Sequence, residues 1–145
     1  MPLLYRDTPL NSIWEGSGNV AALDVLRAIA SEREALPAFL AECELGAGAD
    51  PRLDAHLTAV RERVAALLAS DGDVSERLYA GQFGARRLTE ELAVALQGSL
   101  LVRHAPPAVA DAFCATRCDR AGGRVYGTLP SGVAAAAIVE RALPA

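Results

Sequence analysis

The 145 residues predict an all-α protein, a helical bundle of about six helices. Three features predict it: apolar residues recur every three or four positions through most of the chain, proline, glycine and aspartate punctuate that rhythm, and no stretch shows the apolar/polar alternation of a strand. A sheet domain would need several such stretches.

Each element follows from its own residues. A short turn is expected around residues 7–13, then a helix over about 17–32 with Ala22, Val25, Leu26 and Ile29 on one face and Asp24, Arg27 and Ser31 on a polar stripe. Pro37 suits the first turn of a second helix, which ends by Gly46, because proline lacks only a donor that the first turn does not use. Residues 46–50 read as a loop. Asp50-Pro51 opens a third helix, with Leu53, Leu57, Val60, Val64 and Leu67 at spacings of three or four, and Asp71-Gly72 closes it.

Asp73 and Glu76 form a capping-box pair that starts a long fourth helix carrying Leu78, Ala85, Leu88, Leu92, Ala95 and Ser99 along one side. Gly81 and Gly84 would let a neighbour approach it closely. Pro106-Pro107 breaks this helix, and Val109, Phe113 and Thr116 mark a fifth that stops at Gly122-Gly123. An alanine-rich sixth helix is expected over about 131–143. No internal repeat, heptad run or low-complexity linker interrupts the series.

Composition narrows the function classes. The formal net charge is −4, and all 14 basic residues are arginine. No apolar run reaches the roughly 18 residues of a membrane span, and the start lacks a basic and apolar leader, so a cytoplasmic protein without membrane partners is expected. Cys43, Cys114 and Cys118 are an odd set without a CxxC pair or a histidine at ligand spacing, which points away from a disulfide scaffold and from any metal site. Cys114 and Cys118 read as small packing residues. His56 reads as a core-edge residue and His104 as a partner for a helix C-terminus.

The most informative segment runs from residue 4 to residue 27, LYRDTPLNSIWEGSGNVAALDVLR. Glu15 follows the apolar pair Ile13-Trp14 and precedes the small turn Gly16-Ser17-Gly18 that opens a helix. A carboxylate against apolar neighbours has its charged form disfavoured, which raises its pKa toward values useful for proton abstraction. A small-residue turn feeding a helix start leaves backbone N–H groups that attract anionic phosphate. A glutamate near a helix start is, on spacing alone, more often a first-turn residue than a base.

Tyr5, Arg6, Asp7, Trp14, Glu15, Gly16 and Ser17 together resemble the C-terminal helical domain of flavin-dependent acyl-CoA dehydrogenases, in particular the AidB-like subgroup. The stretch GRVYGTLPSG, at 123–132, is similar to tails of that subgroup as well. The resemblance implies that residues 1–145 are the dehydrogenase C-terminal helical domain, without the N-terminal helical and middle β domains. The chain would be about a quarter of such a polypeptide, as a truncated or split reading frame or a true subunit.

The resemblance also implies roles. Glu15 would be the base that removes the α proton of an acyl-CoA thioester while the β hydride passes to FAD. Ile13, Trp14, Gly16, Ser17, Gly18, Asn19 and Leu23 would lie along that cofactor, whose site this chain encodes only in part. Partners would be the acyl-CoA substrate, the missing domains or a partner flavoprotein, and other copies of the chain, since family members are commonly tetramers. The chain alone would be catalytically silent.

A second function, association with double-stranded DNA, is implied for residues 35–145, with Arg27, Arg117, Arg120 and Arg124 as candidate phosphate contacts. Arginine forks suit phosphate. Arg61 with Arg63, and Arg86 with Arg87, form further clusters. Net negative charge opposes such binding and would make it strongly salt-dependent. Asp24 with Arg27, Arg86 with Glu90 and Arg87 with Glu91 stand at helix-pair spacing, so these arginines also read as ordinary surface pairs.

Overall fold

The computed structural model describes residues 6, 8–12, 18–32, 34–69, 76, 81–119 and 127–143. Among them the chain forms a short 3-10 turn, Thr8–Ser12, and six α-helices: α1 (Gly18–Ser31), α2 (Ala35–Glu44), α3 (Pro51–Leu68), α4 (Ala85–His104), α5 (Pro107–Phe113) and α6 (Ala135–Ala142). No strand occurs among the described residues, and no described helix is long and apolar enough to cross a membrane. The expected all-α bundle of six helices is thus present.

Local chemistry sets most boundaries. Asp50 sits in extended conformation ahead of α3 and its carboxylate accepts the Arg52 backbone N–H at 2.8 Å, while Pro51 occupies the first turn. Pro106 and Pro107 separate α4 from α5 as expected. α2 begins at Ala35, two residues ahead of Pro37, which still lies within the first turn where its missing N–H costs nothing.

Three expectations differ from the structure. The fourth helix does not run unbroken into Ala85: residues 83 and 84 form a turn closed by the Gly84 N–H on the Gly81 carbonyl at 3.0 Å, and α4 starts after it. The fifth helix becomes a π-turn over Cys114–Cys118, closed by the Asp119 N–H on the Cys114 carbonyl at 3.2 Å, and the expected Gly122-Gly123 stop lies outside the described residues. The sixth helix begins at Ala135, because Gly132 adopts a positive φ of 97° that does not continue a helix. The proposed Asp73 cap and the Asp71-Gly72 stop lie outside the described residues.

α4 is the central element: α1, α2, α3, α5 and the π-turn all pack against it, while α6 rests on α5. The core comprises Ala22 and Leu26 of α1, Leu36 and Cys43 of α2, Leu53, Leu57, Val60 and Val64 of α3, Ala85, Leu88, Leu92 and Ala95 of α4, and Cys114 and Cys118. Burial of these side chains is the main favourable term for the bundle. Two glycines permit the closest crossings. A Cβ at Gly46 would stand 2.8 Å from the Ser99 Cα, and one at Gly98 would stand 2.7 Å from a Leu53 methyl. Backbone-to-backbone approach at Gly46 is therefore possible only without a side chain.

Several polar groups in the interior pair within and across helices. Glu91, 3% exposed, accepts Arg63 Nε at 2.5 Å from α3 and Arg87 Nε at 3.0 Å from its own helix. His56 is buried, and its Nε2 lies 2.9 Å from the Glu91 carbonyl, so that nitrogen carries the proton and donates. Ser99 donates its hydroxyl to the Glu42 carbonyl at 3.3 Å. Arg52 bridges Asp50 at 2.6 Å and Asp111 at 2.7 Å, joining the start of α3 to α5.

Candidate functional site at the start of helix α1

Ile13, Trp14, Glu15, Gly16 and Ser17 lie outside the described residues, so the candidate base and the first half of the expected cofactor segment carry no structural account. The second half is described. Gly18, Asn19 and Leu23 belong to α1, whose inner face is set by Ala22 and Leu26 one turn apart. Asn19 and Leu23, also one turn apart, are exposed on a neighbouring face together with Val20. Exposed Leu and Val on the helix expected to meet a cofactor leave that face open to a ligand or a partner.

Gly18 stands on the α4 side of the helix. There, between the start of α1 and the first turns of α4, an open cavity of about 540 Å³ is lined by Gly18, Ala22, Arg86, Arg87, Thr89 and Glu90, with Ala93 beyond. The Arg86 guanidinium reaches across: a Cβ at Gly18 would lie 3.5 Å from its Nη2. Thr89 has a buried hydroxyl with no hydrogen-bond partner among the described residues. The cavity thus brings one expected cofactor residue, Gly18, together with α4 residues that the sequence did not connect to it.

Of the four candidate DNA contacts, Arg27 and Arg117 are among the described residues. Arg27 is exposed and bound to Asp24 through Nε at 2.9 Å and a second guanidinium contact, and the Asp24 carboxylate holds its pKa above the ordinary arginine value. Arg117 is exposed on the π-turn, and Arg120 and Arg124 lie outside the described residues. The other clusters are engaged by carboxylates: Arg61 with Glu44 at 2.8 Å, Arg63 and Arg87 with Glu91. Arg86 is the exception in its pair.

The three cysteines are buried and free. Burial raises all three thiols, Cys43 to about 11 and Cys118 to about 12, because the thiolate loses its hydration in the core. Among the described residues no group of three or more His, Cys, Asp or Glu side chains could hold a metal ion. His104 is exposed in the last turn of α4 beside Arg103, where a positive charge suits the helix dipole.

Comparison with known proteins places this geometry in context. No family model matches the chain, and no solved structure matches it. Among curated proteins it is 32% identical over 124 residues to "Putative acyl-CoA dehydrogenase AidB" of Escherichia coli (strain K12), covering 85% of this chain and 20% of that protein. It is also 32% identical over 114 residues to "Acyl-CoA dehydrogenase family member 11" of Caenorhabditis elegans, covering 72% of this chain and 18% of that protein. The chain spans about a fifth of the length of the curated relatives it matches. It is a distant relative of acyl-CoA dehydrogenase family members.

Proposed function

We propose, from this similarity to acyl-CoA dehydrogenases, that the chain is the C-terminal helical part of an FAD-dependent acyl-CoA dehydrogenase, silent alone and completed by domains it does not contain. The observation that carries the reading is the 32% identity over 85% of this chain.

The residues present suit a bound dinucleotide. Gly18 leaves room beside the Arg86 guanidinium, the wall carries a hydroxyl without a partner among the described residues, and the Asn19–Leu23 face is open. FAD, when bound, supplies the acceptor for the β hydride. Glu15 takes the α proton of the acyl thioester, its carboxylate made more basic by the apolar Ile13-Trp14 pair before it. Asn19 and Leu23 position the cofactor along α1, and apolar Leu23 and Val20 help keep water from it once the missing domains cover the helix.

The test is flavin content by visible absorbance, with the chain purified alone and after coexpression with a flavoprotein that lacks this C-terminal portion. Stoichiometric flavin only in the coexpressed complex, with acyl-CoA bleaching that Glu15→Gln abolishes, supports the reading. Absence of flavin in both preparations, or bleaching by the chain alone, overturns it.

A second reading, association with double-stranded DNA through residues 35–145, is carried by Arg117, which is exposed and makes no ion pair among the described residues. Anisotropy with a labelled duplex tests it: affinity must fall steeply with salt and fall again in Arg117→Gln.

A further inference from the structure

Arg86 and Arg87 are neighbours at the start of α4, and the fold treats them differently. Arg87 is held by Glu91 at 3.0 Å. Arg86 is exposed, makes no ion pair among the described residues, and extends along the cavity toward Gly18, where any side chain would touch its Nη2. A guanidinium presents five donors in a fixed fork that matches a phosphate group.

Thr89, one turn along α4, lines the same cavity. The threonines of the other helices return their hydroxyls to the carbonyl four residues back, Thr58 to Asp54 at 2.9 Å and Thr116 to Ala112 at 2.7 Å. Thr89 does not, and its hydroxyl oxygen is buried without a partner among the described residues. An unmet buried hydroxyl is costly, and helical threonine has two χ1 rotamers, so rotation can turn this donor toward the cavity when an acceptor arrives there. Glu90, also in the lining, already has an interaction of its own.

We propose that this cavity is a phosphate subsite, in which Arg86 binds the diphosphate of a nucleotide and Thr89 adds a hydroxyl donor. Resting on the proposed function, the nucleotide is the FAD laid along α1, and Arg86 is a cofactor-positioning residue supplied from the start of the bundle's central helix. A diphosphate ester is also part of coenzyme A, so the experiment separates the two sources.

The 145-residue chain is titrated calorimetrically with ADP, inorganic diphosphate and adenosine. ADP and diphosphate bind and adenosine binds at least tenfold more weakly; Arg86→Gln reduces ADP affinity at least tenfold with an unchanged far-UV spectrum, Arg86→Lys restores part of it, and Thr89→Val costs about threefold. Failure of ADP and diphosphate to bind, or equal binding by Arg86→Gln, overturns the proposal. In the coexpressed complex, weaker retention of FAD by Arg86→Gln with unchanged coenzyme A affinity supports the cofactor as source, and the reverse pattern overturns that assignment. Flavin uptake indifferent to Arg86 would sink the subsite and leave the proposed function standing; Arg86-dependent ADP binding in a chain that never takes up flavin would do the opposite.

Discussion

Arg63 of α3 and Glu91 of α4 meet at 2.5 Å, with the carboxylate almost wholly withdrawn from water and the guanidinium still partly exposed. Replacing one Glu91 carboxylate oxygen with an amide NH2 therefore sets a buried donor against an arginine donor. Glu91→Gln is expected to destabilise the bundle by about 1–2 kcal/mol, discounted because solvent screens both guanidinium groups. Urea unfolding of Glu91→Gln, Arg63→Gln and the double variant checks this, with non-additive losses expected for the pair.

Gly46 lies against the Ser99 backbone with no space for a Cβ. Gly46→Ala must push α4 away from the end of α2, at about 1–3 kcal/mol. Gly48, whose Cβ would meet nothing but whose φ is 81°, provides the contrast: Gly48→Ala pays for backbone strain without a clash. Thermal melts measure both losses, and backbone amide exchange around Ser99 separates overpacking from strain, because only Gly46→Ala should loosen that part of α4.

Asp50 caps α3 and binds Arg52, and these hydrogen bonds hold its carboxyl below the ordinary value of 3.8. A lowered folded pKa stabilises the fold above the unfolded value, and the contribution is lost as pH falls through the folded one. Asp50→Ala is expected to cost about 1–2 kcal/mol at pH 7. The gap between the wild type and Asp50→Asn should shrink when unfolding is measured below pH 3.8.

The buried thiols predict slow chemistry. With Cys43 pushed up to about 11, its thiolate fraction at pH 8 is on the order of a thousandth. A colorimetric thiol reagent should titrate the three cysteines within minutes in guanidinium chloride and over hours in the native chain. Prompt modification of Cys118 in the folded protein would contradict its burial in the π-turn.

How much of this was legible in the sequence depended on the range of the interaction. The start of α3 was readable because Asp50 and Pro51 act within one turn, and so were the Asp24–Arg27 and Arg87–Glu91 pairs, which obey helix spacing. The break before α4 was not, because Leu78 and Ala85 keep their seven-residue rhythm whether or not a turn at Gly84 intervenes. The π-turn was equally hidden, since an extra residue in one turn leaves the order of apolar residues unchanged. Of the candidate site, the residue types around Glu15 carried the family resemblance, but the meeting of Gly18 with Arg86 and Thr89 is made by the packing of α1 on α4 and has no local signature.

The central position of α4 has a consequence for how the chain comes into being. Its partners α1, α2 and α3 all precede it in synthesis, and each buries its apolar stripe chiefly against it. Until residue 104 has left the ribosome, those three helices are stripes without a common surface, and short helices in that condition are marginal. Assembly of the core is thus a late, nearly simultaneous event on the nascent chain, in which arrival of one helix organises three that were waiting for it.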